Sequence, residues 1–162
     1  MGERALAVVI AALIKDNKIL LVKRAKGDYI GLWGMPGGKV ELNEHLSHAA
    51  TREILEESGI ESEFVAFRGI VSEHLVENNA VTGHFLLHVC ELNPKTTEIR
   101  ESGAGKFAWF DLSELENMKS QIIPSDFPMI QKIIRNKEGK YYNCVITKNG
   151  SQHTLTKFEM LS

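Results

Sequence analysis

The sequence predicts a single α+β domain over residues 1–162, with an additional β-hairpin at about 140–160. Two kinds of pattern carry that expectation. Short apolar runs bounded by polar or glycine-containing turns recur along the chain and read as strands. Between them, His45–Ser58 repeats its apolar residues at helical spacing. The resulting order, ββ-α-βββ-α-α-ββ, mixes the two element types within one length of chain, and 162 residues suffice to bury a core.

Ala5–Ile14 and Lys18–Arg24 are apolar runs joined by the polar turn Lys15-Asp16-Asn17, which predicts a β-hairpin. The first run lacks clean alternation, so it is expected to be central and covered on both faces. It is too short to span a bilayer, its flank Gly2-Glu3-Arg4 is not basic, and no cleavage site follows. It therefore reads as a strand rather than a secretion signal, and the protein as cytoplasmic.

Ala25–Gly34 should be a loop, and Gly37-Gly38 after Pro36 a turn whose backbone can approach a ligand closely. In the helix that follows, Asn43 is the expected N-cap. Gly59 stands where a helix commonly ends in the left-handed conformation. Leu46, Ala50 and Ile54 supply the face to bury.

Glu63–Glu73, Ala80–Leu92 and Phe107–Phe110 read as strands, with Asn93–Lys106 a polar loop. Asp111–Met118 reads as a short helix. Ser125 is the expected cap of a second main helix whose apolar face is Met129, Ile130, Ile133 and Ile134. Tyr141–Thr147 and Gln152–Phe158 flank Asn149-Gly150, a strong two-residue hairpin signal. This hairpin is left with three roles: extending a sheet, covering a pocket or making a homodimer contact.

Composition excludes several classes. A net charge of −2 is poorly suited to capture of a nucleic-acid backbone, which favours a basic face. Two cysteines, Cys90 and Cys144, are too few and too far apart for a disulfide scaffold or zinc site, and read as small buried hydrophobes. His84 and His88 share one side of a strand, but no cysteine or third histidine completes a tetrahedral set, so wall roles are expected for them and for His74.

The chemistry concentrates on the first helix. Glu53, Glu56 and Glu57 are related by steps of three and four, so they share an arc about 100° wide. Such a cluster opposes the helix dipole and repels itself. Grouped carboxylates without matching lysines are what a hard divalent cation requires, and Mg²⁺ takes oxygen ligands and bridges to phosphates. An acidic solvated face is the alternative for the glutamates taken alone.

The wider stretch, GKVELNEHLSHAATREILEESGI, resembles the Nudix box, G-x5-E-x7-R-E-U-x-E-E-x-G-U with U aliphatic. Gly38, Glu44, Arg52, Glu53, Ile54, Glu56, Glu57, Gly59 and Ile60 fill every fixed position. The likeness is strongest over the box and its leading loop and extends more loosely to about Leu115. It implies an α/β/α sandwich with a mixed sheet, and Mg²⁺-dependent hydrolysis of a nucleoside diphosphate linked to X, with Mn²⁺ as a substitute.

On that resemblance, Glu53, Glu56, Glu57 and the Gly38 carbonyl are the metal ligands. Arg52 orients the glutamates and Glu44 fixes the loop against the helix. The general base is a box carboxylate or Glu101, with Glu98 as runner-up. Gly37, Gly38 and either Lys23 or Arg24 would meet the substrate, and Glu41 is weighed as catalytic against a solvent role.

The partner implied is a small nucleotide, with no polymeric nucleic acid and no membrane. ADP-ribose-type members often carry a proline beyond the box and dinucleoside-polyphosphate members a tyrosine. Val71–Asn79 has neither, which favours a (d)NTP cleaved to monophosphate and pyrophosphate. Phe67, Phe85 and Trp109 are weighed as base-stacking or core residues. The alternatives are ADP-ribose or nucleotide-sugar hydrolysis, a non-catalytic nucleotide sensor, and an isopentenyl-diphosphate-type isomerase. The intact box counts against the sensor, and the absence of a recognisable cysteine motif against the isomerase.

Overall fold

The computed structural model describes residues 4–100, 103 and 105–161. β1 (Leu6–Lys15) turns through Asp16 and Asn17, both left-handed, into β2 (Lys18–Arg24). The expected hairpin is short, however. The two strands pair only at Ile14–Ile19 and Lys15–Lys18 before they diverge. β1 then runs parallel to β6 (Ala80–Pro94) and antiparallel to β4 (Gly37–Lys39). β2 pairs instead with β3 (Trp33–Gly34) and β7 (Gly105–Asp111). Divergence lets β1 enter the middle of the sheet, where two sets of side chains need cover.

That cover is visible in its burial. Val9, Ala11 and Leu13 point into one apolar cluster, with Ala49, Ala50, Ile54, Cys90, Leu92 and Phe107. Ile10 and Ala12 point into the other, with Met35, Val71, Val89, Met129, Ile130 and Ile133. An unbroken apolar run is what a strand buried on both faces needs.

The strand order is β3-β2-β1-β6-β5-β8-β9, with β4 beside β1 and β7 beside β2. β5 (Ser62–Glu77) and β6 form a long hairpin through left-handed Asn78 and Asn79, so both strands outrun the predicted bounds. β8 (Tyr141–Asn149) lies parallel to β5, and β9 (Gln152–Met160) antiparallel to β8. The C-terminal hairpin thus extends the sheet. Its turn sits one residue later than predicted: Asn149 pairs with Gln152, leaving Gly150 and Ser151 as the turn.

α1 (Leu46–Ser58) covers one face of the sheet. Leu46 is only half-buried, whereas Ala49, Ala50, Ile54 and Ser58 are buried. Burying Ile54 alone contributes roughly 1.5–3 kcal/mol. The N-cap is His45 rather than Asn43, and no side chain caps the helix. At the other end Gly59 is left-handed (φ 78°), and its N–H donates to the Leu55 carbonyl at 3.0 Å. A β-carbon is strained in that conformation, which is why the helix stops there.

The other face is covered by α2, one α-helical turn at Asp126–Pro128 continued by π-helical Met129–Arg135. The wide turn shows in the Asn136 N–H donating to Gln131 carbonyl at 3.0 Å. The predicted apolar face is buried, and Ser125 stands at the N-cap as expected, although its backbone is helical and its side chain makes no capping bond. A 3-10 segment, Leu112–Gln121, follows β7 and is capped by Asp111, which accepts from the Ser113 N–H at 2.9 Å. Cys90 and Cys144 are buried and free. No helix among the described residues is long and apolar enough to cross a membrane.

Candidate functional site

β4 holds Gly37 and Gly38 against β1, in register with Ile10 and Val9, so the glycine turn is a piece of the sheet rather than a free loop. The Pro36 carbonyl accepts from the Ala11 N–H at 2.8 Å and continues that attachment. α1 crosses β4, and its Glu53 carboxylate lies directly on Gly38. A β-carbon at Gly38 would stand 2.5 Å from the Glu53 carboxyl carbon and 2.5 and 2.7 Å from its oxygens. Only the absent side chain leaves this cradle open.

Arg52 binds the surroundings together. Its Nε donates to Glu44 Oε2 at 2.9 Å and Nη2 to Glu44 Oε1 at 2.6 Å, a bidentate pair. Nη1 donates to Glu53 at 3.0 Å and Glu56 at 3.1 Å, and Nη2 reaches the Lys39 carbonyl at 3.3 Å. Glu44 also accepts from the Glu41 N–H at 2.9 Å. One guanidinium therefore joins the strand, the loop and the helix. These donors, the Arg52 side chain first, hold the Glu44 carboxyl down to about 2 and keep it ionised.

Glu57 lies within hydrogen-bonding reach of Glu53. Burial first, then the Glu53 charge and the hydrogen bond between them, push the Glu57 carboxyl well above the usual carboxylate range; the Arg24 charge pulls it back. Burial and the neighbouring negative charge thus favour the protonated form of Glu57. The structure sets Glu53 on Gly38, with Glu57 beside Glu53. Glu56 is turned to Arg52 with its side chain 60% exposed, and among the described residues no three His, Cys, Asp or Glu side chains converge on one point.

The remaining sequence candidates divide. Lys23 and Arg24 are both exposed and, by strand alternation, leave β2 on opposite faces. Arg24 is the one whose charge reaches Glu57. Glu41 is 62% exposed and 3.9 Å from Arg52, which fits the solvent role. Glu98 is exposed, and Glu101 lies outside the described residues. Trp109 packs on the α1-side core and its indole N–H donates to the Thr97 carbonyl at 3.0 Å, so it pins a loop. His88 bonds the Val8 carbonyl at 3.1 Å and His84 the Ser72 hydroxyl at 2.9 Å, as expected of wall residues.

Two buried carboxyls escaped the sequence reading. Asp126 accepts from the Met35 N–H at 2.7 Å, one residue from the glycine turn, and burial pushes it up to about 7. Glu73 is buried on β5 with the Cys144 thiol at 3.8 Å, and burial raises it too. Glu73 lies between Ser72 and His74 and Asp126 follows Ser125, so local polarity gives neither a signal of burial.

A sequence profile of the NUDIX domain matches residues 3–133. An ADP-ribose pyrophosphatase of Methanocaldococcus jannaschii is 34% identical over 114 residues, which is 69% of this chain and 66% of that protein. A CTP pyrophosphohydrolase of Escherichia coli is 32% identical over 130 residues, 79% of this chain and 90% of that protein. The chain spans 49% and 37% of two further curated relatives, so it covers less than two thirds of several proteins it matches. Among solved structures, a bifunctional NMN adenylyltransferase/ADP ribose pyrophosphatase of Francisella tularensis, complexed with AMP and a Mn ion, superposes with a TM-score of 0.64. It is 20% identical over 84% of this chain and 43% of that one, a likeness of fold.

Proposed function

This chain belongs to the Nudix family, and from that premise we propose that it hydrolyses the pyrophosphate bond of a nucleoside diphosphate linked to X, with a (d)NTP as substrate. The products are then a nucleoside monophosphate and pyrophosphate. The observation that carries this reading is the Gly38–Glu53–Glu57 arrangement, braced by Arg52.

The donor set fits a hard divalent cation. It offers oxygen only, it sets one carboxyl beside another whose charge a cation would offset, and it opens on a backbone that only glycine leaves accessible. Glu53, Glu56, Glu57 and the Gly38 carbonyl are the groups assigned to hold Mg²⁺, or Mn²⁺ in its place. When bound, such an ion neutralises phosphate oxygens and makes phosphorus open to attack by water. The Mn ion of the F. tularensis neighbour supports a divalent ion.

The chain's own residues supply the rest. Arg52 orients Glu53 and Glu56, and Glu44 anchors Arg52. A box glutamate or Glu101 takes the proton from the attacking water. Arg24, on the Glu57 side, meets the phosphates beside the Gly37-Gly38 backbone, with Lys23 on the opposite face of β2.

The (d)NTP assignment is supported by the E. coli relative, 90% of which is covered and whose name is CTP pyrophosphohydrolase. ADP-ribose is the second reading, supported by the M. jannaschii relative. The test is one substrate panel comparing kcat/KM for (d)NTPs, ADP-ribose, NADH, dinucleoside polyphosphates and nucleotide sugars. ADP-ribose leading by about tenfold, or 1.4 kcal/mol in transition-state terms, overturns the substrate assignment and leaves the hydrolase reading standing.

A further inference from the structure

The loop between β2 and β3 closes on itself. The Arg24 N–H donates to the Leu32 carbonyl at 3.0 Å, and the Gly31 N–H to the Arg24 carbonyl at 2.9 Å. Inside it Gly27, Tyr29 and Gly31 are all left-handed (φ 80°, 65° and 86°). For tyrosine that conformation is unfavourable, so it persists only where surroundings impose it.

The surroundings are the tip of the C-terminal hairpin. Its turn puts Lys148 directly across from His153, so both side chains leave the same face. Lys148 Nζ lies 3.0 Å from Asp28 Oδ1. His153, its side chain 5% exposed, brings Nε2 to 3.5 Å from the same oxygen, and its ring sits 4.3 Å from that of Tyr29. At 3.5 Å this contact falls short of a closed hydrogen bond, and His153 Nε2 is buried without a hydrogen-bond partner. The Lys148 hydrogen bond, ahead of the other causes, lowers the Asp28 carboxyl.

Asp28 is also tied to Arg24. Its backbone carbonyl accepts from Arg24 Nε at 3.0 Å, and an Arg24 terminal nitrogen packs over Gly27, where a β-carbon would lie 3.3 Å away. The guanidinium is thereby held by the loop that the hairpin grips. The hairpin lies beyond residues 3–133 matched by the NUDIX profile.

We propose that Asp28 is a positioning residue: clamped by Lys148 and His153 of the C-terminal hairpin, it fixes the Arg24 guanidinium toward the phosphates of the substrate. The proposal rests on the reading of Arg24 as a substrate contact. Holding a long cationic side chain in place before binding removes an entropic cost of binding, so its loss registers in KM before kcat.

The test uses the full chain with Mg²⁺ and two probes, dCTP and ADP-ribose. Lys148→Met and Asp28→Asn are each expected to raise KM by about five- to tenfold while kcat changes by less than about threefold. Lys148→Arg should restore KM, because it keeps the charge on Asp28. In an Arg24→Met background, adding Lys148→Met should change KM by less than about twofold, since residues acting through one another are non-additive. Independently of turnover, the Arg24 Nε–H resonance, assigned by its absence in Arg24→Met, should shift in Lys148→Met.

An unmoved resonance with unchanged KM in Lys148→Met and Asp28→Asn overturns the clamp. Multiplicative effects of Arg24→Met and Lys148→Met overturn the route through Arg24. Arg24→Met with wild-type KM refutes Arg24 as a substrate contact, and the proposal with it. If neither probe is turned over by the wild type, the substrate reading fails, and the resonance still decides whether the hairpin positions Arg24.

Discussion

Gly38→Ala isolates the contact on which the metal-site reading rests. Gly38 is outside the left-handed region, so alanine meets no backbone strain there. Its β-carbon would stand 2.5 Å from the Glu53 carboxyl carbon and Oε1, and 2.7 Å from Oε2. Ordinary contact between such atoms begins near 3.5 Å, so the carboxylate must retreat by about 1 Å. It is the end of a flexible side chain, which limits the folding cost to about 1 kcal/mol, the low end for overpacking. For a chain of this size that lowers Tm by about 2–4 °C. The retreat breaks the 3.0 Å bond from Arg52 Nη1 and separates Glu53 from Gly38 and Glu57. A misplacement of that size at a reacting centre costs about 10²-fold, so kcat should fall about 10²-fold. Steady-state kinetics under saturating Mg²⁺, with a thermal melt on the same sample, measure both quantities. A Gly38→Ala enzyme that keeps kcat within about threefold of wild type, with Tm lowered by the expected few degrees, would refute the cradle.

Three further outcomes follow from the same geometry. Chelation with excess EDTA should abolish hydrolysis while the circular dichroism spectrum is retained, and undiminished turnover under those conditions removes the metal role. Glu57→Gln should lower kcat by about 10²-fold or more while Tm in metal-free buffer holds or rises, because an amide has no charge to bury or to set against Glu53; near-normal kcat in the folded variant counts against Glu57 as a ligand. Asp126 and Glu73, raised by burial, bind protons in the folded state that they have released in the unfolded chain. Stability of the metal-free protein should therefore fall as pH rises from about 4, the unfolded carboxylate value, through the Asp126 value of about 7. Asp126→Asn should flatten that slope in denaturant melts at pH 5 and pH 8, and an unchanged slope would show that Asp126 is not the group responsible.

Part of the candidate site was legible from spacing, because a helix converts sequence separation into direction. Steps of three and four residues put Glu53, Glu56 and Glu57 on one arc, and the likeness to the Nudix box added Arg52 and Glu44. The same local logic identified Gly59 as the helix stop, β1 as a strand covered on both faces, and the buried face of α2. Local signals failed where two of them competed. Asn43 is a better cap than His45 by residue type, yet α1 begins at Leu46 with His45 at its cap, and no side chain bonds there.

What the sequence by itself determined is therefore the chemistry: a carboxylate-bearing helix, its arginine brace and the glycine turn before it, all within one short stretch. Only the tertiary structure decided what lies far apart along the chain. β1 leaves its hairpin partner for β6 because an apolar strand needs cover on both faces. Asp126 reaches Met35 across 91 residues, and Lys148 reaches Asp28 across 120. Periodicity carries no information at such separations. They are set by which surfaces the sheet brings together, and the hairpin's hold on Arg24 exists only once β8 has docked on β5.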